Sequence, residues 1–304
     1  MNGDFITIRD LNIQDIEAIF SLSGELKKDR LKYFDSLRGK CLALIFQKPS
    51  NRTRVSFEVG IFQLGGKPIY LKPEDINLGV RESIGDAAKT LSRYIEGIVV
   101  RTFGHDTVLE LAKYADVPVI NGLSDLLHPC QALSDIFTIR ERFGKLKNIT
   151  LAYVGDGNNV CNSLMYAAAK TGMNLNIATP KKYAPKEEIY DQAIDIAKKT
   201  GAAINLSNNA KEAVRGSDVV YTDVWASMGK EKETWKRKIL FGKFQINKGL
   251  VSLAKPSALI MHCLPAHRGQ EITDDVLDSK SSIVFDQAEN RLHVQKAILI
   301  RLLG

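Results

Sequence analysis

Short apolar runs alternate with amphipathic stretches along most of the sequence, and this order limits the possible folds more than any other feature. Two amphipathic segments, 13–26 and 27–37, come first and are predicted as helices. The runs predicted as strands in the first half span 41–46, 69–71, 97–101 and 117–121. Between these runs lie stretches whose apolar residues have helical spacing. A strand–helix–strand order predicts a parallel sheet covered on both faces. The fold class is therefore α/β.

A second series of the same kind begins near residue 150. Its predicted strands span 150–154, 175–178, 203–206, 219–222, 258–262 and 283–285. We therefore expect two doubly wound parallel-sheet domains, 1–147 and 148–287. The amphipathic stretch 288–304 is predicted as a terminal helix that packs back on the first domain. In such sheets, ligands bind at the carboxyl ends of the strands.

Composition limits the class of protein. The chain has 304 residues, of which 44% are hydrophobic and 25% charged, which suits two globular domains. No run approaches the roughly 20 apolar residues that cross a bilayer, and the first residues lack the pattern of a signal peptide. The cysteines are scattered, which suits reduced thiols and predicts a cytoplasmic protein. They are Cys41, Cys130, Cys161 and Cys263.

The net charge of +7 raises the question of nucleic-acid binding. The longest basic cluster, Lys230 to Lys238, is interrupted by Glu231 and Glu233. Most other basic residues alternate with acids along helical stretches, which is typical of a solvated surface. We therefore expect attraction of small anionic substrates, and neither nucleic acid nor a membrane as a partner.

The segment Lys48 to Arg54 joins a predicted buried strand to a helix start. Ser50 has the residue type of a helix N-cap, and an asparagine, a threonine and two arginines follow it within four positions. The N–H groups of a first helical turn, with cationic side chains beside them, bind phosphate readily. The alternative is that Ser50 only caps the helix and that both arginines are solvated.

Two further polar residues lie where predicted strands of the first half end. Arg101 is the last residue of one strand, and His128 lies in the loop after another. Because the carboxyl ends of parallel strands share one edge of a sheet, both can approach the loop at Ser50. Taken alone, Arg101 would also suit a surface ion pair.

The second half has its own polar loops at strand ends. The stretch 155–159 resembles a dinucleotide-binding turn, but Val160 occupies the position of the third glycine, which argues against NAD. Asp223 leads into a polar, lysine-rich segment that continues to Lys243. Long loops of this kind are often lids, and the alternative is an exposed connection.

His262 and Cys263 follow another predicted strand, and with His128 and Cys130 they could suggest zinc. Neighbouring side chains point in opposite directions if the strand continues through both residues, and His128 and Cys130 lack the usual ligand spacing. The sequence therefore predicts no metal site. For Cys263 itself, a buried structural thiol is the competing interpretation.

Taken together, these motifs resemble the ornithine carbamoyltransferases. The matching segments are 50–54, 128–131, Asp223 with 227–229, and 262–265, and the likeness extends over nearly the whole chain. The first two are shared by carbamoyltransferases in general, whereas the last two resemble the ornithine-specific versions. The resemblance implies two α/β domains with the active site in the cleft between them. It also implies a homotrimer or a multiple of trimers, with no metal and no organic cofactor.

The resemblance also assigns residues by position. The implied catalytic residues are Arg101, His128, Asp223 and Cys263. The implied carbamoyl phosphate site consists of Ser50, Asn51, Arg52, Thr53, Asn77, Arg101, His128, Pro129, Cys130, Gln131, Cys263, Leu264 and Arg291. The implied ornithine site consists of Asn159, Asp223, Ser227 and Met228. Asn51 and Asn77 depart from the family pattern, which usually has threonine and glutamine there.

The implied reaction transfers the carbamoyl group of carbamoyl phosphate to the δ-amine of L-ornithine, giving L-citrulline and phosphate. It belongs to arginine metabolism, and the sequence favours neither synthesis nor breakdown. Other readings of the residues stay open. They are a carbamoyltransferase for putrescine, aspartate or an N-acylornithine, a non-catalytic phosphate-sensing module, and a nucleic-acid binder.

Overall fold

The computed structural model describes residues 3–226 and 234–304, and the chain divides into two compact units. The first unit comprises Met1–Phe137 and Glu289–Gly304, and the second comprises Thr138–Ala288. The sequence-based boundary fell at 147/148. In the structure the division falls ten residues earlier, within the helix Pro129–Phe143, and the terminal helix contributes most of its length to the first unit.

The first unit is built on a four-stranded sheet of order β2-β1-β3-β4 with every neighbouring pair parallel. Its strands are β1 (Cys41–Phe46), β2 (Lys67–Leu71), β3 (Gly97–Arg101) and β4 (Val119–Leu123). Its helices are α1 (Ile13–Lys28), α2 (Asn51–Phe62), α3 (Pro73–Ile76), α4 (Ile84–Leu91), α5 (His105–Tyr114) and the start of α6 (Pro129–Phe143). A short 3-10 helix, Ile8–Asp10, precedes α1.

The second unit is built on a five-stranded sheet of order β7-β6-β5-β8-β9, again with every neighbouring pair parallel. Its strands are β5 (Thr150–Val154), β6 (Asn174–Ala178), β7 (Ile204–Ser207), β8 (Val219–Thr222) and β9 (Leu259–His262). Its helices are α7 (Asn159–Thr171), α8 (Glu187–Thr200), α9 (Ala210–Val214), α10 (Thr234–Phe241), α11 (Lys248–Val251) and α12 (Asp274–Leu277). The chain ends in α13 (Val284–Leu303).

The central strands are buried because helices cover both faces of each sheet. All residues of β3 and β8 are buried, as are most residues of β1, β4 and β5. Strands buried on both faces need nearly continuous apolar runs, and these are the runs that the sequence analysis identified. The predicted α/β class with two doubly wound parallel sheets is confirmed. No helix within the described residues is long and apolar enough to cross a membrane.

Three predictions of local structure are wrong. The segment up to Lys243 is predicted as a long loop, but α10 (Thr234–Phe241) and a 3-10 helix (Gly242–Phe244) lie within it. The segment 27–37 is predicted as a helix, but α1 ends at Lys28. The residues after Asp29 form successive turns. The side chain of Asp29 accepts a hydrogen bond from Leu31 N at 3.0 Å, which competes with a continued helix. The segment 283–285 is not a strand, because α13 begins at Val284, directly after Ile283. Ile283 N bonds to Ile260 O at 3.0 Å, so the chain follows β9 for a single bridge and then turns into the helix.

The loop between β5 and α7 packs tightly against the backbone at 183–185. Gly157 N donates to Tyr183 O at 2.8 Å. A Cβ on Gly157 would lie 2.2 Å from Pro185 N, 2.5 Å from the carbonyl carbon of Ala184 and 2.6 Å from Tyr183 O. All three are backbone atoms, which a rotamer change cannot move. Glycine is therefore required here for close approach.

We predict that Gly157→Ala lowers the stability of the second unit by roughly 1–3 kcal/mol, because the methyl group forces two backbone segments apart. Thermal unfolding followed by calorimetry measures this loss. Gly242→Ala is the matched control in the same unit, since a Cβ there would meet no atom of the described residues within 4 Å. Equal melting temperatures for the two variants would contradict the close-packing argument.

Candidate active site

Helix α2 begins at Asn51, within the segment that the sequence predicts to bind an anion. The side chain of Ser50 accepts a hydrogen bond from Thr53 N at 3.3 Å, so the predicted N-cap is confirmed. Thr53 is buried, Arg52 is half-buried and Asn51 is exposed. The first turn of α2 thus lies at the carboxyl end of β1, where the N–H groups of a helix start favour an anion.

Arg54 does not belong to this group, although it lies in the same turn. Its Nε donates to Glu58 Oε1 at 2.9 Å, one helical turn further on. Its guanidinium carbon also lies 3.7 Å from the ring centroid of Tyr70. Both contacts hold the charge of Arg54 away from an anion at the helix start. Of the two arginines that the sequence offered, only Arg52 is placed near the other candidate residues.

A chain of hydrogen bonds ties α13 to α6 and α2 within the first unit. Arg291 Nη1 donates to Gln131 Oε1, and Arg291 Nη2 donates to Thr53 Oγ1 at 3.3 Å. Gln131 Nε2 in turn donates to Asp135 Oδ1 at 2.8 Å. With its amide oriented to suit its neighbours, Gln295 also accepts from Arg291 Nε at 3.2 Å. These bonds fix three side chains that the sequence analysis assigned to carbamoyl phosphate.

His128 is buried at the start of α6, close to several positive charges. Burial lowers the pKa of His128 well below its ordinary value, and the charges of Arg291, Arg101 and Arg52 lower it further. The imidazole is therefore neutral at neutral pH. Three arginine side chains from α13, β3 and α2 converge electrostatically on this ring, which makes the region strongly attractive to an anion.

The remaining candidate residues of the first unit differ in burial: Arg101 and Cys130 are buried, whereas Asn77 is exposed. Arg101 is buried at the carboxyl end of β3. Pro129 begins α6, and the thiol of Cys130 donates to Asn121 O at 3.5 Å, with burial raising the pKa of that thiol to about 12. Cys130 therefore packs as a small core residue. Asn77 lies on an exposed turn after α3, and within the described residues its backbone bonds only with Pro73, Val80 and Arg81.

In the second unit, Asp223 collects hydrogen bonds at the carboxyl end of β8. Its Oδ1 accepts from Val224 N at 2.8 Å and from the thiol of Cys263 at 2.9 Å. Its Oδ2 accepts from Asn158 Nδ2 at 2.7 Å. A carboxylate offers about four acceptor positions. Within the described residues three are used, so one position on Oδ2 is left for a cationic or amine ligand.

Asp223, His262 and Cys263 have potential ligand atoms within 4.8 Å of one another, the arrangement that a metal ion would need. The two side chains would point apart only if the strand continued through both residues, and β9 ends at His262, so that condition is not met. Both ring nitrogens of His262 are nevertheless engaged, by Leu264 N at 2.8 Å and by Glu271 Oε1 at 3.1 Å. A metal would have to displace these bonds, so the trio as it stands favours hydrogen bonding.

Sequence reasoning missed three residues that support this group. Asn158 caps α7 through bonds from Val160 N and Cys161 N while it holds Asp223. Arg237 Nη1 donates to Asp156 Oδ2 at 2.7 Å and to Trp225 O at 2.6 Å, and both members of this ion pair are buried. An asparagine directly before a helical stretch is an N-cap signal that could have identified Asn158. No local signal pairs Arg237 with Asp156, which is 81 positions away.

Asn159 and Leu264 are the other described candidate residues of the second unit. Asn159 is half-buried in the first turn of α7, next to Asn158. Leu264 is half-buried with a left-handed φ of 57°. Ser227 and Met228 lie outside the described residues. The structure thus brings Asp223, Cys263 and the start of α7 together.

The two units present different chemistry. The first gathers arginines around a neutral histidine, with a threonine hydroxyl and a helix start beside them, an arrangement suited to a phosphate and a polarised carbonyl group. The second gathers a carboxylate, a thiol and asparagine side chains, which suit an amine. The helix cap, the histidine and the carboxylate are all at the strand ends from which the sequence analysis predicted function.

Family models match both parts of the chain. The carbamoyl-P binding domain of aspartate/ornithine carbamoyltransferase matches residues 3–141. The Asp/Orn binding domain of aspartate/ornithine carbamoyltransferase matches residues 147–302. Together these matches account for nearly the whole chain.

Similar proteins and structures are aligned over nearly their full length. The ornithine carbamoyltransferase of Anoxybacillus flavithermus is 51% identical over 302 residues, covering 99% of this chain and 96% of that protein. A protein of Thermoplasma volcanium described as a catabolic ornithine carbamoyltransferase is 48% identical, covering 99% and 98%. The structure of ornithine carbamoyltransferase from Pyrococcus furiosus is similar with a TM-score of 0.97 at 50% identity, covering 100% of this chain and 97% of that one. The chain is thus a member of the aspartate/ornithine carbamoyltransferase family.

Proposed function

We propose that this protein is an ornithine carbamoyltransferase, which transfers the carbamoyl group of carbamoyl phosphate to the δ-amine of L-ornithine. The products are L-citrulline and phosphate. Relatives that are 50–51% identical over 99–100% of this chain carry this name. The observation that carries the proposal furthest is the convergence of Arg52, Arg101 and Arg291 on a neutral His128. That arrangement suits a dianionic phosphate attached to a carbonyl group.

In this proposal the first unit binds carbamoyl phosphate. Ser50, Asn51, Arg52 and Thr53 hold the phosphate at the start of α2, where charge-assisted hydrogen bonds are strongest. Thr53 Oγ1 already accepts a bond from Arg291 Nη2, so its own proton is available to donate to the ligand. Gln131, held by Arg291 and Asp135, binds the carbamoyl end together with His128.

The proposed reaction uses these side chains as follows. The neutral δ-amine attacks the carbonyl carbon, negative charge grows on the carbonyl oxygen, and the bond to the bridging phosphate oxygen breaks. Phosphate leaves with the electron pair, and the amine nitrogen loses a proton. Arg101, Thr53 and His128 donate hydrogen bonds to the developing oxyanion, and one such donor is typically worth about 3 kcal/mol. Arg52 and the helix start stabilise the departing phosphate.

The second unit binds the acceptor in this proposal. Asp223 has one acceptor position left, on Oδ2, after bonds from Asn158, Val224 and Cys263, counted over the described residues. That position can hold an amine of ornithine, with Asn159 beside it. The family resemblance assigns Cys263 and Leu264 to positions next to the reacting groups. Ser227 and Met228 are assigned to ornithine on the resemblance alone.

The assembly and location of the protein are also part of the proposal. The family resemblance supports a homotrimer or a multiple of trimers in the cytoplasm. Several large apolar side chains of the first unit are exposed in the single chain, among them Phe62, which is 67% exposed, and Ile69, which is 41% exposed. Apolar surface of this kind is compatible with contacts between copies. Because the chemistry is reversible, one site serves both citrulline formation and its phosphorolysis.

We predict carbamoyl phosphate-dependent product formation with ornithine and not with aspartate, putrescine or N-acetylornithine. Parallel assays with each acceptor, read by mass spectrometry of the carbamoylated product, test this directly. Turnover with a different acceptor would keep the anion site and overturn the assignment of the second unit. Phosphate binding without turnover for any acceptor would instead favour a phosphate-sensing protein.

We predict that Arg52→Ala weakens carbamoyl phosphate binding by roughly 10- to 100-fold, because it removes a charged hydrogen-bond donor worth about 1.5–3 kcal/mol. Calorimetric titration with inorganic phosphate and with carbamoyl phosphate measures the loss. Arg54→Ala is the matched control, since Glu58 and Tyr70 already hold that guanidinium. Wild-type affinity in Arg52→Ala, or equal losses in both variants, would show that the anion binds elsewhere.

We predict that acid destabilises the free protein partly through His128. The pKa of His128 is lowered in the folded state, so the unfolded chain binds the proton more tightly than the native protein. Stability is then fully present above the unfolded value of about 6.5 and is lost as the pH falls below it, by up to about 1.4 kcal/mol per pH unit. Denaturant titrations between pH 7.5 and 5 measure this slope.

The control for this pH dependence is His128→Gln, which keeps a polar side chain but does not titrate. Its unfolding free energy should fall less steeply below pH 6.5 than that of the wild type. His293 also has a lowered pKa because of burial, so some slope persists in the variant. Identical slopes in the two proteins would mean that His128 is not held neutral.

A further inference from the structure

A cluster of buried polar side chains lies behind the turn that carries Cys263, and the proposed reaction does not use it. His262 and Glu271 are fully buried, and Gln287 is nearly so. Burying such groups costs free energy unless hydrogen bonds compensate. Their partners therefore indicate what the cluster does.

Two hydrogen bonds hold the ring of His262 in one orientation. Leu264 N donates to His262 Nδ1 at 2.8 Å, so Nδ1 is the acceptor nitrogen and carries no proton. The proton lies on Nε2, which is 3.1 Å from Glu271 Oε1. The same carboxylate oxygen accepts from His267 N at 2.5 Å. Glu271 thus links the two ends of the turn 262–267 through a single atom.

The backbone of His262 is held from the other side. Its N–H donates to Gln287 Oε1 at 2.9 Å, and Gln287 Nε2 donates to Tyr221 OH at 3.2 Å. Tyr221 lies in β8, two residues before Asp223, and Thr222 pairs with His262 in the sheet. The ends of β8 and β9, which carry Asp223 and Cys263, are therefore fixed against each other.

The turn itself needs such support. Leu264 has a φ of 57°, a left-handed conformation that a branched side chain rarely adopts. The bond from its N–H to the imidazole compensates for this strain. Directly before it, the thiol of Cys263 donates to Asp223 Oδ1 at 2.9 Å. If the turn relaxed, that thiol would move with it.

We propose that His262 is a positioning residue, whose bonds to Leu264 and Glu271 hold the turn that directs the Cys263 thiol at Asp223. It acts through its neighbours and does not touch the reacting groups. Its catalytic consequence rests on the proposed function, because Cys263 and Asp223 are assigned there to the acceptor. The position of the thiol, however, can be measured without turnover.

The first experiment compares variants that remove or keep the hydrogen bonds. Glu271→Leu removes the acceptor, whereas Glu271→Gln keeps an oxygen for both His262 and His267. We expect kcat/KM for ornithine to fall roughly 10- to 100-fold in Glu271→Leu and in His262→Leu, since small displacements of reacting groups are costly. Glu271→Gln should stay within a few-fold of the wild type. The affinity for inorganic phosphate should not change in any of them.

The second experiment reads the thiol directly, by iodoacetamide alkylation of the native protein and mass spectrometry. Cys41 and Cys263 are partly exposed, whereas Cys130 and Cys161 are buried, so Cys41 serves as an internal reference. The rate at Cys263 relative to Cys41 should rise at least several-fold in both leucine variants. It should stay unchanged in Glu271→Gln.

His293→Gln is the matched control for loss of a buried histidine. His293 is buried in α13, and its Nε2 lies 3.5 Å from Glu289 Oε1. It is two positions from Arg291 and so points to another side of the helix. Its loss should lower stability without altering the alkylation of Cys263 or the kinetics with ornithine.

The outcomes separate this inference from the proposed function. A faster alkylation of Cys263 in Glu271→Leu but not in Glu271→Gln supports the positioning role, even if the wild type carbamoylates no ornithine. An unchanged relative rate in both leucine variants overturns it, even if activity falls. If His262→Leu does not fold, the two Glu271 variants decide the question.

Discussion

The parallel arrangement of every strand pair is the constraint on which the rest of the structure depends. Because neighbouring strands run in one direction, their carboxyl ends meet at one edge of each sheet, and the loops that follow them meet there too. In the first sheet this edge receives the helix start at Ser50 and the side chain of Arg101. In the second it receives Asp223 and Cys263. Residues far apart in sequence thereby become neighbours.

The charges at those edges are opposite in the two units, positive in the first and negative in the second. The first keeps positive charges together, and it does so by holding His128 neutral and by bonding Arg291 to Gln131, Thr53 and Gln295. An anion bound there, as proposed above, would relieve the mutual repulsion that remains between these charges. The second unit instead surrounds Asp223 with hydrogen-bond donors and leaves one acceptor position for a ligand, as counted over the described residues.

Much of this could be predicted from the sequence, because the decisive signals were local. Buried parallel strands need continuous apolar runs, and a serine before a helix start identifies a cap. Long-range pairing has no such local signal. Nothing near Arg54 indicates that Glu58 and Tyr70 hold its charge, and nothing near Asp156 indicates Arg237. The apolar run at 283–285 was predicted as a strand because short runs of that kind fit a strand or a buried helix equally well.

Buried ionic and polar groups explain why these long-range pairs are present. Desolvation of the Arg237 and Asp156 charges costs several kcal/mol, and a well-packed apolar replacement of such a pair is often neutral or stabilising. Stability alone therefore does not account for the pair. What it does is join Trp225 O, two residues after Asp223, to the loop that contains Asn158. His262 and Glu271 are likewise a buried polar pair, and they join the two ends of the turn that contains Cys263. In both places a costly interaction lies directly behind a side chain, Asp223 or Cys263, that the proposed function assigns to the acceptor.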